Sequence, residues 1–381
     1  MSKYNFDQVV ERRHTYSYKW DTKENVLPMW VADMDFPVLS DIVDAIKERA
    51  DINSYGYIYA PEEYFLAYRN WWKRRHNVDL KTSDMLFSLG VVASIDCILK
   101  HMIPPQSGVV LQTPVYHTFF HCLNNNGHKL LENKLIYENG EYKIDFDNLE
   151  ELFKLKETKA FILCNPHNPV GRIWNKEELL KIIDLCTKNN VLLISDEIHC
   201  DIVEPGQQYV PILSLTDRAI ALFAGSKVFN IASLQSSVVV CPNKEMREQL
   251  SSFLGQDDIG EPNYFAPAAN IAAFNNGDQY VDELNAYLFE NKKYVQSFIE
   301  KELPHLRLID NKATYLLWLD ISYYSSDSDD FVKKMQETTG LYVSSGAAFG
   351  DSRFLRINIA TKKANVIDAC MRLKTFIDKK Y

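Results

Sequence analysis

Between residues 85 and 242, short and wholly apolar runs alternate with longer segments of helical period. The runs 85–89, 108–112, 159–164, 191–195, 219–224 and 237–241 have the length of strands and are too short for helices. Between two of them, 177–188 sets Leu179, Leu180, Ile182, Ile183 and Leu185 along one broad apolar face. Asn175 and Glu178 stand before it at the spacing of a capping box. Strands that are apolar throughout, with no polar alternation, are covered on both faces. The pattern therefore predicts a mostly parallel sheet with helices on either side. In such sheets ligands collect beyond the carboxyl ends of the strands.

The pattern changes after residue 262. Residues 263–302 read as two or three helices, including a long one over Asp278–Glu302. From 306 onward the order is strand, helix, strand, helix: 306–309, 314–320 and 354–360 read as strands, and 363–379 as a closing amphipathic helix. The expected architecture is α/β: a large domain over 41–285 and a smaller α+β domain over 286–381, with 1–40 packed against the smaller one.

Length and composition narrow the function. A chain of 381 residues is too long for one simple core and suits two domains. A net charge of −9 repels nucleic acid and anionic membrane, so neither is an expected partner. No apolar run approaches the roughly 20 residues that span a bilayer, and residues 1–6 lack the apolar core of a signal peptide. The seven cysteines never occur as Cys-x-x-Cys, and most sit inside apolar runs. They read as reduced core thiols of a cytoplasmic protein.

Four motifs in fixed order carry the chemistry. Asn165-Pro166-His167-Asn168-Pro169-Val170-Gly171-Arg172 follows one apolar run, Ser195-Asp196-Glu197-Ile198-His199 ends another, Ser226-Lys227 follows a third, and Phe354-Leu355-Arg356-Ile357-Asn358 lies near the C-terminus. Together they supply what pyridoxal phosphate and an amino-acid substrate need. A lysine just past a buried strand is costly as an ammonium and suits Schiff-base chemistry, which points to Lys227. Asp196 can keep a pyridine nitrogen protonated, and Asn168 can bond the ring's phenolic oxygen. Arg356 can clamp a carboxylate through two parallel hydrogen bonds. Glu197 receives no catalytic role. His199 either approaches the phenolic oxygen or is a satisfied histidine near a strand end; its position leaves both open.

Weaker candidates surround these. Leu89-Gly90-Val91-Val92-Ala93-Ser94 joins a strand to a helix, where exposed N–H groups bind phosphate, and Ser226 can add a hydroxyl. Tyr116, just past another strand, can stack on a cofactor ring. Two further signals are set aside. His117 and His121 have metal-ligand spacing beside Cys122, but no carboxylate motif accompanies them, and no metal ligand is assigned. The basic and aromatic run Trp71-Trp72-Lys73-Arg74-Arg75-His76 fits a partly solvated amphipathic helix over 64–75 better than a nucleic-acid surface.

With these motifs the chain resembles the pyridoxal-phosphate-dependent carbon–sulfur β-lyases of cystathionine β-lyase type, the MalY/PatB group, within the class I/II aminotransferases of fold type I. The resemblance runs from about residue 6 to the C-terminus and includes Met29-Trp30-Val31-Ala32-Asp33-Met34-Asp35-Phe36-Pro37 and Ser226-Lys227-Val228-Phe229-Asn230. It implies the fold type I transferase architecture, pyridoxal 5'-phosphate as cofactor and α,β-elimination of a small sulfur amino acid to a thiol, pyruvate and ammonia. By that resemblance Lys227 is the attachment lysine, Asp196 the partner of the ring nitrogen and Asn168 the donor to the phenolic oxygen. Tyr116 stacks on the ring, and Arg356 takes the substrate carboxylate. Val92 and Ala93 lend backbone N–H groups to the phosphate. Tyr57 stands with Lys227 and Asp196 among the catalytic residues and reaches the phosphate of a neighbouring subunit, which implies a homodimer with its active site at the interface. Ala93-Ser94 departs from the proline-containing turn common in the family, and Thr361 stands where Cys-Pro is common. An aminotransferase is the nearest alternative, because both reactions pass through the same carbanion. A regulatory binding protein that keeps the cofactor fold is the alternative from another class.

Overall fold

The computed structural model describes residues 3–8 and 10–381. Its centre is a seven-stranded sheet of β1 (Met85–Ser88), β2 (Gly108–Leu111), β3 (Lys129–Glu132), β4 (Thr158–Cys164), β5 (Leu192–Asp196), β6 (Ala219–Phe223) and β7 (Ser237–Val240). The spatial order is β1-β7-β6-β5-β4-β2-β3. Strands β2 to β6 run parallel, and β7 is antiparallel to both of its neighbours.

Alternate residues of the strands other than β3 enter different cores. Val109, Leu111, Ile162, Ile194, Ile220 and Leu222 belong to one cluster, which includes Ile95 and Ile98 of the helix Val91–Met102. Val110, Phe161, Leu193, Ala221 and Phe223 belong to the other, with Trp72 and Trp174. Burial on both sides explains why the strands show no polar alternation. The edge strand β3 escaped the sequence pattern because its residues are largely exposed and form no apolar run.

The helix over Lys176–Asn189 opens with the expected capping box: Glu178 N donates to Asn175 Oδ1 and Asn175 N to Glu178 Oε2, both at 2.8 Å. The run from Trp71 to His76 closes the amphipathic helix Glu62–His76. Trp71 and Trp72 are buried, while Arg74 and Arg75 pair with Asp278 and Asp282. That pairing leaves no free basic stripe along this face.

The helix Asp278–Glu302 leads from the large sheet to a smaller antiparallel one, ordered Arg307–Leu308, Leu316–Asp320, Phe354–Asn358 and Ser344–Ser345. The amino-terminal segment is threaded against it. Leu27–Pro28 pairs parallel with Leu341–Tyr342, Asn358 N donates to Met29 O, and Asp35 N donates to Ala360 O. Residues 30–35 are thereby drawn across the gap between the two sheets. Among the described residues, no helix is long and apolar enough to cross a membrane.

Candidate active site

Three strand ends and one helix start converge on a cavity of about 170 Å³. Asp196 ends β5, Asn168 follows β4 by four residues, and Ser226 and Lys227 follow β6 by three and four. Gly90, Val91 and Val92 lead from β1 into the helix Val91–Met102. All of these line the cavity, together with Tyr116, His199 and Ala32. A wider groove of about 750 Å³ lies at the opposite, amino ends of β4 and β5, and none of the four motifs lines it. The smaller space is the one at the carboxyl strand ends, where ligands of such sheets collect.

Burial sets the charges in this cavity. Asp196 accepts a hydrogen bond from Ile198 N at 3.1 Å. Desolvation pushes its carboxyl up to about 6, against the pull of that N–H and of Lys227. Lys227 Nζ donates to Ala32 O at 2.9 Å. Desolvation and then Arg356 bring its ammonium down to about 8, opposed by Asp33 and Asp196. An amine in that range exists partly in its nucleophilic form near neutral pH. His199 is buried, and desolvation followed by Lys227 and Arg356 drives it to about 3, so it is neutral. Glu197 is consumed structurally: it accepts from Ser195 Oγ, Ile212 N and Tyr209 OH.

Arg356 lies on the facing strand and is buried. Its Nη1 donates to Asn168 Oδ1 at 3.2 Å and its Nη2 to Trp30 O at 3.0 Å, while the guanidinium carbon stands 4.4 Å from the centre of the Phe349 ring. Because Asn168 Oδ1 receives Arg356, its amide NH₂ is the edge left to donate into the cavity.

The residues fit pyridoxal phosphate by their burial and their missing partners as well as by their types. His199 Nδ1 and Arg356 Nε are buried without a partner, which is costly unless a ligand group meets them. A Cβ built on Gly90 would meet no atom within 4 Å, so the backbone there faces open space at a helix N-terminus, where a phosphate is favoured. A buried acid and a buried amine share this cavity, as a pyridinium nitrogen and an aldehyde require.

Two expected contacts are not made within this chain. Tyr57 is fully exposed and does not line the cavity, and Ala93 lies one residue beyond the lining at Val92. His117 and His121 approach only ring to ring, with centroids 6.0 Å apart. The sequence reading assigned no role to a set of residues that hold segment 30–35. Asn358 Nδ2 donates to Val31 O and Asp33 O, Tyr315 OH to Ala32 O, and Asn230 brackets Met34 through its N–H and its carbonyl. Their signal was available: each is a polar side chain inside a strongly apolar stretch.

Comparison with known proteins agrees with this geometry. Residues 24–373 match the family described as aminotransferase class I and II. Cystathionine beta-lyase PatB of Bacillus subtilis is 36% identical over 97% of this chain and 99% of its own length. Cystalysin from Treponema denticola, whose structure contains a pyridoxal 5'-phosphate cofactor, superposes with a TM-score of 0.95 at 31% identity over 99% of both chains. The pyridoxal-phosphate-bound C–S lyase from Staphylococcus hominis gives a TM-score of 0.93 at 31% identity over 98% of both chains.

Proposed function

Because this chain belongs to the aminotransferase class I and II family and is a pyridoxal-phosphate-dependent carbon–sulfur β-lyase, we propose how its own residues divide that work. The substrate is cystathionine or a related cysteine S-conjugate, which with water becomes a thiol, pyruvate and ammonia. The observation that carries the assignment of residues is the meeting of Lys227, Asp196, Asn168 and the Gly90 helix start in one cavity beneath Arg356.

When bound, pyridoxal 5'-phosphate supplies an electron sink that makes the Cα proton of an amino acid removable. Val92 and, one residue further into the helix, Ala93 would offer backbone N–H groups to its phosphate, with Ser226 Oγ beside them, and Tyr116 would stack on the ring. Asp196, desolvated and anionic, would hold the proton on the ring nitrogen. Asn168 and the neutral His199 would meet the phenolic oxygen. Arg356 takes the substrate's α-carboxylate, and its partners Trp30 O and Ser344 Oγ fix its plane. Lys227 Nζ would be the group that holds the cofactor and the base that takes the proton at Cα. Burial of the site keeps competing water from that proton.

The division into a large body over 41–285 and a small one from 1–40 and 286–381 puts Arg356 and Lys227 on different bodies. The protein acts as a homodimer in the cytoplasm. Tyr57 is fully exposed between the exposed Tyr55 and Tyr59, and it would reach the phosphate of the partner subunit. The buried, unpaired state of all seven cysteines supports a reducing compartment.

Two incubations test the reaction. Enzyme with cystathionine should release free thiol and pyruvate. Enzyme with an amino acid and 2-oxoglutarate should form little glutamate. Rapid glutamate formation without thiol release would make the protein an aminotransferase. Equilibrium sedimentation and the cofactor affinity of Tyr57→Phe test the dimer.

A further inference from the structure

Away from the cleft, the described residues gather two groups of metal-ligating side chains. In the first, His76, Cys200 and Asp201, the ligand atoms are already committed. Asp201 Oδ1 accepts both Trp71 Nε1 at 3.0 Å and His76 Nε2 at 2.8 Å, and the Trp71 donor is fully buried with no solvent to turn to.

The second group is built differently. Cys97 and His101 are four residues apart on the helix Val91–Met102 and so share one face. Asp257 sits opposite, at the C-terminal cap of the helix Lys244–Gln256. One ligand atom from each lies within 4.8 Å of the others. His101 Nε2 is 3.0 and 3.1 Å from the two oxygens of Asp257. Two ligand atoms each about 2.0–2.1 Å from one tetrahedral zinc ion stand about 3.3 Å apart, so this pair is already near the required spacing. The His101 ring is held flat against Phe253, with centroids 4.7 Å apart and planes within 7°. Cys97 is buried behind it, whereas His101 and Asp257 keep 19% and 17% of their side-chain surface. The site therefore has a dry back and an open front. His101 and Phe253 line the groove of about 750 Å³, which provides the entry path.

We propose that Cys97, His101 and Asp257 bind a divalent cation of zinc type, with a water from the groove as fourth ligand. A thiolate, an imidazole and a carboxylate select zinc over magnesium or calcium. On binding, the Cys97 S–H bond breaks, its proton leaves to solvent, and a sulfur–metal bond forms; His101 binds as the neutral ring. Lys100 Nζ stands 2.6 Å from Asp257 Oδ1 and is half-exposed, so it can turn to solvent or remain on that oxygen while Oδ2 ligates. The ion would tie together two helices that matter to the cleft. One begins at the phosphate-facing Gly90. Two residues past Asp257, Ile259 O accepts the N–H of Leu89, the residue before Gly90.

The test uses the holoenzyme, stripped of adventitious metal with a chelator and titrated with cobalt(II). Tetrahedral cobalt thiolate sites give strong ligand-field bands in the red, clear of the yellow cofactor. The expected result is one cobalt per chain with such bands, displaced by zinc, and a melting temperature that rises on zinc addition. Cys97→Ser should weaken binding by at least ~100-fold and bleach the bands. Lys100→Met, which removes the competing ammonium from a half-exposed position, should tighten it. His76→Gln should change nothing. Weak octahedral bands from the wild type, or strong bands that survive Cys97→Ser but vanish in His76→Gln, would overturn the proposal. Should Cys97→Ser fail to fold, the absence of any tightening in Lys100→Met would count against it equally.

Discussion

On one side of the cleft, Asn168, Asp196 and Lys227 stand at or within four residues of the ends of buried strands, and the sheet alone fixes their positions. On the other side, Arg356 and the carbonyls of Trp30 and Ala32 are held by side chains gathered from distant parts of the chain: Ser344, Tyr315, Asn358 and Asn230. The sheet wall acts through desolvation. It shifts the acid and the amine toward each other, to about 6 and about 8, without needing many hydrogen bonds. The opposite wall acts through hydrogen bonds to main-chain carbonyls, and these fix where a carboxylate and a backbone segment lie. The first wall therefore sets reactivity and the second sets orientation, and damage to each should have a different kinetic signature.

The largest effect comes from breaking the sheet wall at its centre. Lys227→Ala removes both the attachment point and the base, so kcat/KM should fall by roughly 10⁴ or more. The purified variant should also lose the visible spectrum of the wild-type holoenzyme; normal activity with an unchanged spectrum would sink the assignment. On the opposite wall, Arg356→Lys keeps a positive charge but loses the planar pair of donors. A charge-assisted hydrogen bond contributes about 1.5–3 kcal/mol, so KM should rise roughly 10- to 100-fold while kcat moves less. If kcat falls and KM does not change, the two walls do not divide the work in this way.

The same contrast explains how much was legible before any coordinates. The sheet wall could be read because each of its groups lies within a few residues of an apolar run, and a local pattern suffices to place it. The capping box at Asn175 and the helix Asp278–Glu302 were legible for the same reason. The strap was not. Asn358 and Asp33 are 325 residues apart in sequence, and nothing local says that one holds the other's carbonyl. The edge strand Lys129–Glu132 was missed because an exposed edge has no apolar signature. Two histidines at i, i+4 mark 117–121, with Cys122 adjacent, whereas Cys97 and His101 at the same spacing carry no further local signal, because the third ligand comes from another helix.

A smaller effect should follow from loosening the strap. Asn358 is buried, and its Nδ2 donates to Val31 O at 2.5 Å and Asp33 O at 2.7 Å. Asn358→Ala removes one donor from each carbonyl, which keep only Asp33 N and Lys19 Nζ, and takes the acceptor from the buried Ala360 N, a cost of about 1–3 kcal/mol that a thermal melt would register. Because the freed segment carries Trp30 O and Ala32 O, the contacts of Arg356 and Lys227, KM should rise as well. Unchanged stability and KM would mean that Tyr315, Asn230 and Lys19 hold the segment without Asn358.

The smallest effect is electrostatic and separates the walls most cleanly. Burial raises Asp196 to about 6 in the folded chain, above its value in the unfolded chain. Such a group contributes stability that is fully present below the unfolded value and is lost as pH rises through the folded one. Asp196 and Glu197, the latter raised to about 7 by burial, therefore each withdraw stability from the cofactor-free protein between about pH 4 and pH 7, while His199, His167 and His117, lowered by burial, act in the opposite direction. Asp196→Asn removes only the first contribution. In thermal melts of the cofactor-free forms, the variant should match the wild type at about pH 4 and exceed it at about pH 7. Adding the cofactor should erase or reverse that advantage, because a protonated ring nitrogen gives the wild-type carboxylate the partner that burial denies it. An advantage that persists unchanged with cofactor bound would place the ring nitrogen somewhere other than Asp196.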